Sequence, residues 1–190
     1  LNSTLNRGEV NAIDGLVIVS VPDNSERYLI LGNPEKVNIK ATELASSLQS
    51  TESTAWDLLD ILSGLAWITA KTQEQFLPQM LNLDVLDGLN YQKGCYPGQE
   101  VIARLHYRGE VKKRIKLTKS KHKLEIGTSL YTDDTDNTVG TIVNVAQAAD
   151  GHYYALAVLT LDKLENTLFS DLDRERAIDL LDLPYAIESC

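Results

Sequence analysis

Residues 93–100 read Lys93-Gly94-Cys95-Tyr96-Pro97-Gly98-Gln99-Glu100, and around this stretch the chain changes from mixed helix and strand patterns to short strands. Gly94 and Gly98 allow backbone angles that are closed to other residues, and Pro97 fixes the turn between them. Residues 99–107 follow with apolar and basic side chains at helical spacing. The stretch therefore predicts a tight bend that presents Cys95 near the N-terminus of a short helix.

Cys95 has two interpretations on this pattern. Unpaired N–H groups at a helix N-terminus, with Lys93 close by in sequence, are surroundings that lower the pKa of a thiol and favour a reactive thiolate or a ligand. The alternative is a small buried hydrophobic residue in a Gly/Pro turn, which is the common state of a single cysteine. Spacing alone leaves both interpretations open.

Three further segments accompany the bend in order and spacing. They are WDLLDILSG at residues 56–64, QFLPQMLNL at residues 75–83, and Arg104 with the YRG of residues 107–109. Together with the bend they resemble the YgfZ family of folate-binding proteins, which is related to the aminomethyltransferase of the glycine cleavage system. The resemblance covers only the C-terminal part of that family, and because Leu1 is not an initiator methionine we expect a fragment of a longer protein.

The resemblance implies an α+β, aminomethyltransferase-like fold. Residues 1–110 would form the C-terminal part of a ferredoxin-like folate-binding domain that carries the KGCYPGQE motif, and residues 111–190 a small antiparallel β-barrel. The resemblance also implies a functional thiol at Cys95, in a catalytic site shared with Lys93, Gln99 and Glu100. The folate contacts that it implies are Trp56, Tyr96 and Arg104, and the implied cofactor is tetrahydrofolate or another reduced folate.

The function that follows from the resemblance is support for the maintenance or assembly of iron–sulfur enzymes, and thereby tRNA modification. The expected partners are iron–sulfur client enzymes, including tRNA-modifying ones. An accessory folate-binding protein is expected, and whether it is itself an enzyme stays open. The alternative is a folate-dependent aminomethyl or one-carbon transferase, which needs a substrate-carrying partner and an acid–base group beside the pterin but does not require the Cys95 motif.

The first 50 residues have an α+β pattern. Residues 15–21 are a β-branched run suited to a strand, turn residues follow, and residues 27–31 predict a second strand that pairs with the first as a hairpin. Residues 34–48 then carry apolar side chains at helical spacing behind Pro34. Strand, strand and helix in this order are what half of a ferredoxin-like domain contains.

Both tryptophans follow this region. Residues 54–62 predict a helix whose apolar side contains Trp56, and an aromatic residue at helical spacing is more often a core anchor than a ligand contact. The resemblance favours folate instead, because flat pterin and aminobenzoate groups suit stacking on an indole. Trp67 lies in the strand-like residues 65–69 and is expected in the core.

Residues 71–92 predict a loop, or a loop with one short helix. The amides of Gln79 and Asn82 could hydrogen-bond a heterocycle, and Asp84 and Asp87 are available acids. The alternative is an ordinary surface connection.

From Arg114 onward, short strand patterns alternate with turns. The predicted strands are residues 114–117, 129–132, 139–146 and 153–161, with a strand within residues 177–181 that could close a barrel. The acidic turn at residues 133–137 lacks the glycine and the terminal glutamate of an EF-hand loop, which favours a hairpin over a calcium site.

Basic residues are concentrated in one segment of an acidic chain. Residues 101–123 hold nine of the 18 Lys and Arg against a single acid, Glu110, although the chain has a formal net charge of -9. Such a stripe could attract RNA phosphates or the glutamate tail of a folate, which makes an RNA-binding module a third hypothesis. The alternative is a solvated strand edge whose lysines discourage aggregation. Because the chain is acidic, direct tRNA contact is expected to be local and weak, without DNA binding.

Composition argues against several other classes. The chain contains no apolar run of the roughly 20 residues that a membrane span needs and opens with no basic-then-apolar leader, so a cytoplasmic protein without membrane contact is expected. Two cysteines cannot form a disulfide framework or an ordinary iron–sulfur site, and three scattered histidines predict no metal site. No dinucleotide fingerprint, Walker loop or Ser-His-Asp order occurs.

Overall fold

The computed structural model of the chain describes residues 5–6, 8–21, 26–94 and 96–187. The chain divides into two compact units after Ser53. The second unit contains residues on both sides of residue 110, since Ile61 and Leu81 belong to one of its hydrophobic clusters. The predicted domain boundary after residue 110 stays a prediction. The assignment of roles to the two predicted domains stays a prediction.

The first unit contains a three-stranded antiparallel sheet. Its strands, in order across the sheet, are β1 (Val10–Ile13), β2 (Leu16–Ser20) and β3 (Tyr28–Gly32). The predicted hairpin is confirmed as the pair β2–β3, in which Ile18 lies opposite Ile30. Alternate residues of β2, Leu16, Ile18 and Ser20, are buried, as the two-residue period of a strand requires. Strand β1 has no counterpart in the prediction.

Helix α1 (Pro34–Leu44) follows β3. Asn33 caps it, since Asn33 Oδ1 accepts a hydrogen bond from the N–H of Glu35 at 2.9 Å, and Pro34 supplies the fixed φ that suits a first helical turn. The helix ends at Leu44 rather than at residue 48, because residues 45–47 form a turn. The predicted strand, strand and helix are therefore all present in this unit.

The second unit begins with helix α2 (Thr54–Leu62), whose bounds match the prediction. Gly64, with a φ of 71°, follows the helix in the left-handed conformation, and the N–H of Leu65 donates to the carbonyl of Asp60 at 2.9 Å. This turn satisfies carbonyl groups at the end of the helix, which explains why the helix ends here.

Residues 65–69 do not form the predicted strand. The N–H of Trp67 donates to Asn144 Oδ1 and the carbonyl of Trp67 accepts from Asn144 Nδ2, both at 2.9 Å. An amide side chain distant in sequence thus satisfies both backbone groups, so this residue needs no neighbouring strand.

Two further helical elements precede the barrel. Residues 71–92 form the predicted loop with one short helix, a 3₁₀ helix at Pro78–Leu81. Helix α3 (Gln99–Arg108) follows the KGCYPGQE motif and extends one residue beyond the prediction. Among the residues that the structure describes, no helix is both long and apolar enough to cross a membrane.

The rest of the second unit is a closed antiparallel β-barrel, which confirms the predicted α+β fold class. Its strands are β4 (Lys113–Ser120), β5 (Ser129–Thr132), β6 (Thr135–Gln147), β7 (Tyr153–Thr160), β8 (Leu168–Phe169) and β9 (Ala177–Leu181). They follow the order β4-β7-β6-β5-β8-β9, and β9 returns to β4, where Leu117 lies opposite Leu181. The strand at residues 177–181 therefore closes the barrel as predicted, whereas β8 has no counterpart in the prediction.

Within the acidic segment of residues 133–137, residues 133 and 134 form the turn of a hairpin between β5 and β6. Thr132 lies opposite Thr135 across this hairpin. Its carboxylates bond to protein groups. Asp134 accepts hydrogen bonds from the hydroxyl of Thr132 and from Lys163. These contacts agree with the hairpin interpretation of the sequence.

Two hydrophobic clusters hold the barrel together. The cluster that fills its interior is Leu124, Leu130, Val139, Ile142, Ala155, Ala157, Leu159, Leu168 and Ile178. The cluster that joins its outer face to α2 and the 3₁₀ helix is Ile61, Leu81, Ile115, Leu117, Val143, Ala146, Leu156 and Val158. Residues of β7 alternate between the two clusters because successive side chains of a strand point to opposite faces. Both faces of β7 are therefore buried.

Candidate functional site

The KGCYPGQE motif forms the connection that leads into α3. Cys95, the predicted functional thiol, lies outside the described residues. On its C-terminal side, the N–H of Gln99 donates to the carbonyl of Tyr96 at 3.1 Å. Gly98 has a φ of 82°, a left-handed conformation that glycine adopts without strain. These described residues confirm the predicted bend before a helix N-terminus.

The structure brings two motif side chains into contact. Lys93 Nζ lies 4.7 Å from the centroid of the Tyr96 ring, which is a cation–π distance. The chain before it is fixed by Asn90, whose Oδ1 accepts hydrogen bonds from the N–H groups of Gln92 at 2.8 Å and Lys93 at 3.1 Å. The ammonium group is therefore held over the residue that follows Cys95 in sequence.

The other predicted motif residues lie on α3. Gln99 is half-buried, and Glu100 is exposed in the first turn, where a carboxylate interacts favourably with the positive end of the helix. Arg104 is exposed one turn further along. Exposure leaves Glu100 and Arg104 accessible to a ligand, and their roles stay predictions.

Trp56 lines a separate cavity of about 410 Å³. The side chains around it come from α2, from residues 65–69, from Ile126 and from β6. Trp56 itself is half-buried. None of the described motif residues lines this cavity, so the structure does not bring Trp56 together with Lys93 and Tyr96.

Trp67 lines the same cavity and is not the core residue that the sequence predicted. Its side chain is 63% exposed, and its indole N–H donates to Asp60 Oδ2 at 2.8 Å. The residue after Trp67 is Ile68. Both are exposed.

The sequence did not reveal the ion pair between the buried Arg114 and the partly buried Asp84. Two nitrogens of the Arg114 guanidinium donate to the two carboxylate oxygens of Asp84, each at 2.9 Å. The same guanidinium donates to the carbonyl of Gln79 at 3.1 Å and to Asn82 Oδ1 at 3.3 Å. Arg114 is only 5% exposed. Such bidentate pairs are among the stronger hydrogen-bonded contacts in proteins.

Gln79 and Asn82 anchor the loop to its neighbours. Gln79 Nε2 donates to the carbonyl of Ile102 on α3 at 2.7 Å, and Asn82 Nδ2 donates to the carbonyl of Ile115 on β4 at 3.2 Å. Both amides are buried. Their amide N–H groups are used in these bonds, whereas Gln79 Oε1 has no hydrogen-bond partner among the described residues and Gln79 lines a cavity with Asp84, so hydrogen bonding to a heterocycle stays a prediction.

Two tyrosines near Asp84, Tyr91 and Tyr185, have raised pKa values. Burial raises the pKa of Tyr91, with a further contribution from the negative charge of Asp84, and the Tyr91 ring stacks on His106 with 3.8 Å between centroids. Burial also raises the pKa of Tyr185, whose hydroxyl donates to the carbonyl of Gly64 at 3.0 Å. Both phenols therefore stay protonated at neutral pH.

The basic stripe of residues 101–123 is divided by the fold. Lys119 Nζ lies 3.6 Å from a carboxylate oxygen of Asp150, and Lys123 Nζ lies 3.1 Å from one of Glu125. Alternation along β4 sends neighbouring side chains to opposite faces. Arg114 is buried and so leaves the exposed stripe, and direct tRNA contact stays a prediction.

Within the described part of the chain, no group of three or more His, Cys, Asp or Glu side chains could hold a metal ion. Because Cys95 and Cys190 lie outside that part, the absence of a metal site stays a prediction.

Comparisons with known proteins give two matches of different kinds. No protein-family model matches the chain. The chain is 35% identical over 190 residues to tRNA-modifying protein YgfZ of Photobacterium profundum, with coverage of 95% of this chain and 57% of that relative. Among solved structures, it is similar to the glycine cleavage system aminomethyltransferase T from Bartonella henselae, with a TM-score of 0.68, 15% identity and coverage of 90% of this chain and 50% of that one.

The two matches support different statements. The structural match, at 15% identity, shows the fold alone and confirms the aminomethyltransferase-like prediction. The sequence match extends over nearly the whole chain, although the chain spans little more than half the length of that curated relative. Given this match and the shared fold, the chain is a YgfZ-like protein over the residues compared.

Proposed function

We propose that this protein is a folate-binding protein of the YgfZ type that supports the maintenance or assembly of iron–sulfur enzymes and thereby tRNA modification. The observation that carries the proposal is the 35% identity, over 95% of the chain, to a relative whose name is tRNA-modifying protein YgfZ. The aminomethyltransferase-like fold agrees with a folate ligand. The iron–sulfur part rests on the family resemblance of the KGCYPGQE motif.

Cys95 is the proposed functional thiol. It directly precedes Tyr96, and the bend at Gly98 leads from there into the N-terminus of α3. Unpaired helix N–H groups and a nearby ammonium group stabilise a thiolate, and Lys93 is the ammonium group available in the motif. Gln99 and Glu100, in the first turn of α3, would shape the site around the thiol.

Trp56 is the proposed folate-stacking residue, and the cavity that it lines fits a small heterocycle. A volume of about 410 Å³ lies within the range typical of ligand pockets. The indoles of Trp56 and Trp67 offer apolar faces there, and Asp57 adds a carboxylate. A bound reduced folate would supply a carrier for one-carbon groups. Tyr96 and Arg104 do not line this cavity, so as folate contacts they would meet another part of the ligand.

An accessory role, rather than turnover of a substrate, is part of the proposal. The partners would be iron–sulfur client enzymes, including those that modify tRNA. A cytoplasmic location, weak direct contact with tRNA and no contact with DNA or membranes stay predictions. No observation on this chain favours the alternative of an aminomethyl or one-carbon transferase, because the structural match to such an enzyme shows the fold alone.

Folate binding is tested by calorimetric titration of the full-length protein with 5-formyltetrahydrofolate, a reduced folate that is stable in air. Trp56→Leu is expected to weaken binding by about 5- to 150-fold, because stacking on an aromatic side chain contributes roughly 1–3 kcal/mol per ring. Trp56→Phe keeps a flat ring and should retain most of the affinity. If the folded wild-type protein binds no folate, the folate part of the proposal fails.

The role of the thiol is tested separately. Cys95→Ser should leave folate affinity unchanged and abolish the rescue of iron–sulfur-dependent tRNA modification in cells that lack the protein, as measured by mass spectrometry of tRNA nucleosides. Cys190→Ser changes the other cysteine of the chain and should rescue fully. Full rescue by Cys95→Ser would refute a functional thiol and leave the transferase alternative as the better explanation.

A further inference from the structure

Residues 92–98, the motif loop, are attached to α3 at both ends. At the C-terminal end, Gly98 leads directly into the helix. At the N-terminal end, the ring of Tyr91 stacks on the ring of His106, with 3.8 Å between the centroids and 11° between the planes. His106 lies in the last turn of α3, so the chain enters the motif loop beside one end of the helix and leaves it at the other.

A second ring on α3 fixes the orientation of Tyr91. Tyr107 meets the Tyr91 ring edge-on, with 6.2 Å between centroids, and packs edge-on against His106 at 4.7 Å. Stacked and edge-to-face arrangements are the favoured geometries of aromatic pairs. Directly after Tyr91, the N–H groups of the next two residues both donate to Asn90 Oδ1. The entry to the motif loop is therefore held by ring contacts and by hydrogen bonds.

The helix that receives these contacts is itself fixed to the barrel. Gln79, which is 1% exposed, donates from Nε2 to the carbonyl of Ile102 on α3 at 2.7 Å. The guanidinium of Arg114, on β4, donates to the backbone carbonyl of Gln79 at 3.1 Å. Helix α3 therefore provides a fixed base for the motif loop.

The ring stack contributes little to the hydrophobic interior. Neither hydrophobic cluster of the barrel contains Tyr91 or His106, and His106 is exposed. A contact at the surface removes less apolar area from water than a core side chain does, and it stabilises the fold less. The stack is therefore placed to affect the motif loop more than the fold.

The motif loop has slack that the stack takes away. The eight chain steps from Tyr91 to Gln99 reach roughly 26–29 Å when extended, whereas the seven helical steps from Gln99 to His106 rise only about 10 Å. Without the stack, the loop would have room to move away from the N-terminus of α3. The positive end of a helix acts only within about its first turn, so this movement would weaken its effect on a thiol.

We propose that the stack of Tyr91 on His106 clamps the motif loop to α3 and so keeps the thiol of Cys95 at the N-terminus of that helix. The inference rests on the proposed function of Cys95. Tyr91 and His106 are positioning residues, because they act on the thiol through the path of the loop.

The test is the rate at which iodoacetamide alkylates Cys95 in the full-length protein as a function of pH, measured by mass spectrometry of the peptide that carries Cys95. We expect an apparent thiol pKa at least about one unit below the value of about 8.5 for free cysteine. Tyr91→Leu and His106→Ala should each return the pKa towards 8.5, whereas Tyr91→Phe keeps a stacking ring and should retain the wild-type value. The double variant should shift no further than either single variant, because both remove the same contact.

The matched control is Tyr131→Leu. Tyr131 is a half-buried tyrosine of β5 that lies opposite Phe169 on β8, and its substitution should leave the thiol pKa unchanged. Lys93 and Glu100 are the same in every variant, so the charges of the motif do not cause the shift. Because His106 is exposed, His106→Ala carries the test if Tyr91→Leu does not fold.

The outcomes separate this inference from the proposed function. A lowered wild-type pKa that is unchanged in Tyr91→Leu and His106→Ala overturns the inference and leaves the proposed role of the thiol intact. A pKa that rises as much in Tyr91→Phe as in Tyr91→Leu also overturns it, since the ring is then not what holds the loop. An ordinary thiol pKa in the wild-type protein overturns the inference as well, and the rescue of tRNA modification by Cys95→Ser then decides separately whether the thiol functions.

Discussion

Arg114 connects β4 to the preceding loop through buried polar contacts. Its guanidinium bonds to both oxygens of Asp84 and to oxygens of Gln79 and Asn82. A buried charge is tolerated only when it is paired and hydrogen-bonded, because removal from water costs several kcal/mol per ion. Arg114 therefore joins Gln79 and Asn82 in holding this loop against the barrel.

Removing Arg114 should leave the partly buried carboxylate of Asp84 without its partner. We expect Arg114→Met to lower the free energy of unfolding by about 3 kcal/mol, measured by urea denaturation at pH 7. Lys112→Met, at an exposed position in the same basic segment, is the control and should change stability by no more than about 0.5 kcal/mol. Equal effects of the two substitutions would show that the pair contributes no special stability.

Roles that depend on distant partners could not be predicted for individual residues. Arg114 lies in a run of basic residues, and nothing local distinguishes it as the partner of Asp84, which lies 30 positions away. The hydrogen bonds of Trp67 to Asn144 span 77 positions. The bend around Gly98 was predicted correctly because its chemistry is contained within one turn.

Helices and strands were predicted well where periodicity and a local boundary signal agree. Helix α2 has apolar spacing and ends two residues before Gly64, and helix α3 begins directly after the Gly98 bend. Predictions failed where a boundary depends on tertiary contacts. Residues 65–69 have a strand-like sequence, but the side chain of Asn144 bonds to the backbone of Trp67 and takes the place of a neighbouring strand. Strand β8 is two residues long, which is too short for the two-residue hydrophobic period of a strand to be recognised.

The end of α2 should be sensitive to a single added methyl group. A Cβ on Gly64 would lie 2.6 Å from a ring carbon of Tyr185, and its φ of 71° is unfavourable for alanine. We expect Gly64→Ala to lower the free energy of unfolding by about 2–4 kcal/mol, the sum of backbone strain and overpacking. Thermal and urea unfolding of the purified protein measure the change.

Gly151→Ala is the matched control for that prediction. Gly151 has a φ of 82°, and nothing lies within 4 Å of a Cβ built there, so only backbone strain of roughly 1 kcal/mol is expected. If both alanine variants lost the same stability, the contact between Gly64 and Tyr185 would have no energetic role.

The two units of the molecule differ in how much apolar surface they bury. In the second unit, both faces of β7 are covered, and its residues 155–159 are almost fully buried. In the described part of the first unit, Leu16 and Ile18 are the buried apolar side chains, and α1 buries none. Stability within one chain varies with local burial, so the units should differ in how readily they open.

Hydrogen exchange followed by mass spectrometry should reveal that difference. We expect peptides from β4, β6 and β7 to exchange most slowly, and peptides from β1 and α1 to exchange faster by orders of magnitude. Peptides from α3, a helix in the other unit, control for helical structure without deep burial. Equal protection of α1 and β7 would contradict the burial argument.

At the scale of the whole molecule, the fold class was predictable and the division into units was not. Alternating strand patterns and the order of the family motifs predicted the barrel and the α+β class. The division after Ser53 depends on α2 packing against β6 and β7, a contact between segments far apart in sequence. The apolar period of α2 shows that one face is buried but does not identify the segment that covers it.

The closure of the barrel by β9 has a consequence for synthesis on the ribosome. Strand β4 pairs with β9 about 60 residues further along the chain, as in the pair Lys119 and Asp179. At a translation rate of about 5–20 residues per second, β4 would emerge roughly 3–12 seconds before this partner. The nascent chain would carry an unpaired edge on β4 throughout that interval and a second one on β8 once Leu168–Phe169 has emerged, and such edges invite pairing with other chains. The need for protection by chaperones should therefore be greatest just before residues 177–181 leave the exit tunnel.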